Sequence, residues 1–521
     1  MTEASAIKTD SIGGLLRHTS IYAIVPLVQR VMALLLVNAY THRLSNGAWG
    51  VISMTDLFLT LLPILVGTNL IAGLSRHYFV HENEEDRASV ISGTMVTLIS
   101  LAVIGSILSL IFSEQIAGLI FSGINDIGNT PYVDYISICA LIVPLSLTST
   151  LGLETLQVQK RSQTVVKITL LKTFLEAALK LFFLFVLNWG VLGFLLAILC
   201  GEVVVGAAML IYLVRNYGTR LVKRTFMPLL YYTLPLIPVG AFQLGLHQAD
   251  KFLIERLGPQ DAVILKNGEM ATVALQWVGI YNLGYQIAFL FHTAAMASFM
   301  RIWIPNVFSM RDDHSRAPHV KRIGTLVALG IAALYAQVAL FGREGVRVLA
   351  GQESYYPADG VVPWVAAGYV AYALYALGQA TLMSVFATKT LALVNFVALC
   401  FNLGLNFIFI PRYGYVGAAA ATTISFAFLA GATAWLSSKR GLAPFRPYAV
   451  VAGGAFVATA ALAGHWLDGM FSAWSPGALA SKFAVTGILL AVLYAVLPGD
   501  ERRLVSGSLQ QILRKVRPRR S

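Results

Sequence analysis

The feature that most constrains this chain is a series of apolar runs, following one another almost end to end, each long enough to cross a lipid bilayer. A helix needs about 20 mostly apolar residues to span the hydrocarbon core. Runs of that length lie at about 19–41, 48–74, 88–112, 132–158, 164–187, 190–214, 226–254 and 273–300, and continue at about 319–342, 358–386, 390–411, 415–437, 446–466 and 480–498. Inside a bilayer every backbone N–H and C=O must be satisfied within the protein, so runs of this kind fold as helices. The expected fold class is therefore an all-α polytopic membrane protein with about 14 transmembrane helices. Composition agrees, at 57% hydrophobic and 12% charged residues. Soluble domains carry about 25% charged residues, which argues against a soluble enzyme.

Charge then orients the helices. The 38 Lys and Arg outnumber the 25 Asp and Glu, for a net charge of +13. With the N-terminus inside, twenty-six basic residues fall in cytoplasmic loops and tails, seven fall outside and five lie within spans. Cytoplasmic loops are enriched in Lys and Arg, so both termini are expected in the cytoplasm. Nucleic acid is not an expected partner, because binding it requires basic residues clustered on one polar face. The first 20 residues are polar with no apolar h-region, so no cleavable signal peptide is expected. Cys139, Cys200 and Cys400 sit inside apolar runs without a CxxC pair and read as small core residues rather than a disulfide or zinc framework. No metal and no cofactor are expected.

Three short motifs recur at nearly one offset. GVIS from Gly50 resembles GIYN from Gly279, 229 residues on; GLETL from Gly152 resembles GQATL from Gly378, 226 on; WGVLG, containing Gly190, resembles YGYVG, containing Gly414, 224 on. Each pair is separated by six spans. An even number preserves orientation, so the halves would be related by a parallel pseudo-two-fold repeat, an arrangement found in secondary transporters. The expected organisation is a tail (1–18), an N-lobe of helices 1–6 (19–214), a C-lobe of helices 7–12 (226–437), two accessory helices (446–498) and a basic tail (499–521).

The motifs also carry a family resemblance. Residues 21–58, ADKFLIERLG at 249–258, VGIYNLGYQIA at 278–288, IWIPNVF at 302–308, the stretch 344–370 and PRYGYVGAAAATTISF at 411–426 resemble, in order and spacing, the polysaccharide transport branch of the multidrug/oligosaccharidyl-lipid/polysaccharide (MOP) exporters, which includes the Wzx-type flippases. The match spans roughly residues 15–440. It implies movement of a polyprenyl-pyrophosphate-linked oligosaccharide, a surface or exopolysaccharide repeat unit, from the inner to the outer leaflet of a bacterial inner membrane. The bilayer, and a polysaccharide polymerase, would be its partners. Two departures stand out: Asp250-Lys251 is more usually Asp-Arg, and PQDAVILKNGEMATVALQ at 259–276 is longer than the usual connection.

Ionisable residues within a membrane are costly and mark functional sites. Lys172, Glu176 and Lys180 follow one another at i, i+4 and i+8, on one helix face; they suit a pyrophosphate, or equally a self-neutralising ladder. Arg30 can bind phosphate oxygens through its fork, or pair with Asp56. Asp56, Glu176 and Glu202 are candidates for a coupling proton or sodium ion. Lys251 and Arg301 are further candidates for substrate, with snorkelling towards headgroups as the simpler account. Tyr281 and Tyr285, in line with Trp277 and Phe289, can stack on sugar or merely pack. Glu154 is expected to pair locally with Lys160 and Arg161, and His292 to be a core residue.

Two other classes compete. A membrane glycosyltransferase or polymerase would carry acidic residues in a large outer loop; the loop THRLSNGAWG has none, and residues 256–273 hold only Asp261 and Glu269. Without a GK dipeptide there is no P-loop, and the chain is expected not to be an enzyme. Among transporters, a peptidoglycan lipid-precursor flippase would meet the same pyrophosphate. A drug/cation antiporter would favour an acidic cavity, against which Arg30, Lys172 and Lys180 argue.

Overall fold

The computed structural model describes residues 28–29, 32–33, 35–80, 83–122, 132–234, 236–264, 270–312, 317–385, 387–499, 501–503 and 506. Among them the chain is helical almost throughout. Residues 35–43 end a first helix, α1. There follow α2 (Asn46–Val66), α3 (Asn69–Val80), α4 (Glu84–Ile111), α5 (Ser113–Ile120), α6 (Tyr132–Val158) and α7 (Ser162–Leu181), the last running into a π-helical turn, Phe182–Val186. Next come α8 (Gly190–Tyr217), α9 (Lys223–Thr233), α10 (Leu236–Leu257), α11 (Val273–Asp312), α12 (Ala317–Leu340) and α13 (Gly342–Leu349). A 3-10 segment, Glu353–Gly360, leads to α14 (Val362–Ser384), α15 (Thr388–Lys439), α16 (Pro447–Met470) and α17 (Pro476–Val496).

Nine of the described helices are long and apolar enough to cross a membrane. Their outward faces are apolar too: α4 exposes Leu101, Ile104, Ile107 and Ile111, and α17 exposes Phe483, Ile488 and Val492. A helix hydrophobic all round must be buried in protein or in lipid. The chain is a multi-pass membrane protein.

Local chemistry sets where helices break. Ser45 caps α2 by accepting from the Ala48 N–H. Gly67, at φ 118°, ends that helix and returns its N–H to the Pro63 carbonyl, a left-handed stop that glycine makes without steric cost. The run 48–74, which hydropathy reads as one span, is thus two helices, because hydropathy is blind to a backbone stop. At 388–439 the two expected spans are two helices that meet at a kink, where Gly414 takes non-helical φ 61°, ψ −145°. The long connection after Gly258 is a departure from all-α: β1 (Ala262–Ile264) pairs antiparallel with β2 (Met270–Thr272), Val263 opposite Ala271.

The chain forms two compact units, one of residues 1–279 with 349–354, the other of 280–348 with 355–521. Phe226 and Leu229 of α9 are buried with Leu70, Leu74, Val90, Met95 and Leu98 of α3 and α4, so α9 belongs to the first unit by packing. In the second unit, α16 and α17 are fastened to α12 and α13. Lys482 of α17, wholly buried, lies 2.7 Å from Glu344 and 2.8 Å from Asp468. Arg343 donates to the Asp468 and Phe471 carbonyls at the end of α16. Lys482, counted among the outer-side basic residues, is buried between two carboxylate partners.

Candidate functional site: a charge cluster in the first unit

The face of α7 carrying Lys172, Glu176 and Lys180 packs on α8. Gly201 makes room for it: a Cβ there would lie 2.5 Å from the Glu176 side chain. Lys172 Nζ is 2.6 Å from Glu202 Oε1 and 3.8 Å from Glu176. Lys180 Nζ is 3.8 Å from the other Glu176 oxygen and 4.4 Å from the centre of the Phe194 ring. The second Glu202 oxygen accepts from Ser149 Oγ of α6 at 2.8 Å. Gln29 donates to Thr173 at 3.1 Å, bringing the first span to the same face.

Four expected residues thus converge, and the two lysines are matched by two carboxylates. Glu202 is the most buried, with 5% of its side chain exposed, against 23% for Lys172, 19% for Glu176 and 15% for Lys180. A carboxylate with two partners can hold a lysine in low dielectric, where an unpaired charge would cost several kcal/mol. The three residues on α7 remain open enough for a ligand to compete for the lysines. The partnership of Lys172 with Glu202 crosses helices and has no signature in sequence spacing.

Other candidates fall elsewhere. Asp56 is exposed on α2, within electrostatic range of Lys180 and Lys251. Lys251 is buried on α10, next to Asp250, rather than snorkelling to a surface. Arg30 and the Arg301 side chain lie outside the described residues. Tyr281 and Tyr285 are buried in the second unit, where Tyr285 packs 5.7 Å from Tyr369 and 6.3 Å from Phe289. Their rings pack against other aromatic side chains there. His292 lies in the same group, 4.8 Å from Tyr369. Glu154 accepts a hydrogen bond from Ser75 of α3, so its partner is another helix rather than the nearby basic pair.

The "Polysaccharide biosynthesis protein" family model matches residues 15–311, more than half of the chain and all of the cluster. The chain belongs to this family. Among solved structures, the Lipid II flippase MurJ in an inward closed conformation superposes with a TM-score of 0.67 at 12% identity, over 91% of this chain and 98% of that one. A multidrug resistance MATE family transporter of the MOP superfamily, inward-facing, gives 0.57 at 13% identity over 84% and 98%. A MOP superfamily transporter from Pyrococcus furiosus gives 0.52 at 13% identity over 81% and 95%. At these identities the likeness establishes the fold, that of MOP transporters. No curated protein matches the chain by sequence. By family the chain is a polysaccharide biosynthesis protein, and by fold it is like the MOP transporters.

Proposed function

We propose that the chain moves a polyprenyl-pyrophosphate-linked oligosaccharide from the inner to the outer leaflet of a bacterial cell membrane by alternating access. The observation that carries this reading is the cluster of Lys172, Lys180, Glu176 and Glu202 where α7 packs on α8. A pyrophosphate is a better partner for two ammonium groups than single carboxylates are, because several oxygens can be shared. When it takes Lys172, Glu202 loses its counter-ion at a buried position. The carboxylate must then gain a proton or a sodium ion, or the lysine must return, since an unpaired buried charge is unfavourable. Substrate binding and cation uptake are coupled by that exchange. Family membership supports a polysaccharide precursor over a drug as the cargo.

The test is twofold. Deleting the gene should make cells accumulate polyprenyl-linked repeat units on the inner leaflet; normal surface polysaccharide without accumulation overturns the reading. The Lys172→Ala, Lys180→Ala double variant should lose export while reaching the membrane at the usual level. Unchanged export in that variant would reduce the cluster to a structural ladder.

A further inference from the structure

One cavity in the first unit takes no part in the charge cluster. About 360 Å3 in volume, it lies where the end of α1 and the start of α2 meet the turn between α7 and α8. His42, Arg43, Ser45, Ala48, Leu184 and Asn188 line it. The loop charges assign this end of the helices to the outside. The Arg43 guanidinium is held over the Phe185 ring at 5.0 Å and donates to Asn188 Oδ1 at 3.3 Å. That bond occupies one of five N–H donors in a planar fork suited to phosphate oxygens. Gly351 packs against His42, where a Cβ would lie 2.6 Å from the ring. Among the described residues the His42 imidazole makes no hydrogen bond.

The backbone beneath is unusual. Phe182–Val186 is a π-helical turn, and such turns are frequent at functional sites. Asn188 and Gly190 both have φ 55°, a left-handed conformation that asparagine and glycine adopt more readily than other residues. Here that turn brings the Asn188 amide to Arg43. Leu184 follows Lys180 by one helical turn, so the cavity continues the lysine-bearing face of α7.

We propose that this cavity is an outer-side site for a phosphate group carried on a lipid, with Arg43 as its principal ligand and His42 and Ser45 as secondary ones. The chemistry is shared by a polyprenyl phosphate, a phospholipid headgroup and free pyrophosphate. The proposal goes beyond the transport reading and shares with it only the sidedness of the chain.

The test uses the full chain with Cys139, Cys200 and Cys400 replaced by alanine and Ser45→Cys introduced. The protein is reconstituted in phosphatidylcholine vesicles, and labelling by a membrane-impermeant maleimide from the outer face is timed. Probes are inorganic pyrophosphate, polyprenyl phosphate and phosphatidylglycerol, each alone. At least one should slow labelling, and Arg43→Gln should raise the concentration needed about tenfold, the scale of one charge-assisted contact. Slowing by pyrophosphate alone identifies a phosphate anion as sufficient; slowing only by the lipids identifies a headgroup. The Lys172→Ala, Lys180→Ala variant should leave the slowing unchanged, so loss of the transport reading does not remove this one. No slowing by any probe, slowing indifferent to Arg43→Gln, or labelling only from the opposite face overturns it. If the Ser45→Cys chain is not monodisperse, retention of radiolabelled polyprenyl phosphate by the natural chain against Arg43→Gln decides the same question.

Discussion

Lys172 and Lys482 show how one residue type acquires different roles from its surroundings. Lys172 keeps 23% of its side chain exposed and has Glu202 and Glu176 as alternatives. Lys482 has none exposed, and its Glu344 and Asp468 partners come from two separate helical segments. The first arrangement is suited to exchange, the second to fastening. Removing one member of a buried pair leaves an uncompensated charge and costs about 3–5 kcal/mol. Lys482→Met should therefore lower the thermal stability of the detergent-solubilised protein, followed by fluorescence-detected size exclusion, and adding Glu344→Gln should restore part of the loss. An unchanged melting profile for the single variant would show that the fastening carries no weight. At Glu202 the expected outcome is functional: Glu202→Gln keeps the Ser149 hydrogen bond but removes the charge facing Lys172. Export should fall at least tenfold and lose its dependence on the cation gradient, measured in sided vesicles.

Among elements, the crossing of α2 with the start of α11 is the most demanding contact. A Cβ on Gly50 would lie 1.9 Å from the Leu275 carbonyl oxygen, and one on Gly279 would lie 1.9 Å from that of Asn46. The two relations are reciprocal, each glycine meeting the residue four positions before the other. Small residues let membrane helices approach this closely. Gly50→Val or Gly279→Val should abolish accumulation of folded protein, whereas Gly454→Val, where a Cβ would meet open space, should be tolerated. Western blots of membrane fractions distinguish the two. A second device is the segment 349–354, which belongs to the first unit although the chain on either side belongs to the second. Gln352 donates to the carbonyls of Thr41, His42 and Leu44, groups left over at the end of α1, and Thr41 Oγ1 accepts from Gly351 N–H while donating to the Leu349 carbonyl. Gln352→Ala should loosen this strap by about 1–2 kcal/mol, read as faster hydrogen exchange at 349–354.

At the level of the entire chain, the apolar runs were enough to read the fold class, an all-α polytopic membrane protein. Gly190 of WGVLG and Gly414 of YGYVG, paired by sequence, have φ values of 55° and 61°. Such agreement is what a repeat would produce, and swapping WGVLG for YGYVG should then preserve accumulation of folded protein in the membrane. What hydropathy missed was a break. Gly67 divides one run because a single left-handed residue ends a helix without changing its average polarity. Side-chain packing, which hydropathy does not see, buries Phe226 and Leu229 of α9 against α3 and α4.

The candidate site divides in the same way. Spacing alone put Lys172, Glu176 and Lys180 on one face, because the helical repeat is fixed by backbone geometry. Glu202 stood out as an intramembrane carboxylate. That it is the partner of Lys172, that Tyr281 and Tyr285 are packed in a core, and that Lys482 belongs among buried charges all depend on which helix lies beside which. Those adjacencies follow from close-packed side chains many residues apart, a property distributed over the whole chain and carried by no local pattern. The apolar runs and their interruptions set a membrane-spanning helical fold with ionisable residues in its interior. Which of those charges meet follows from which helices pack together.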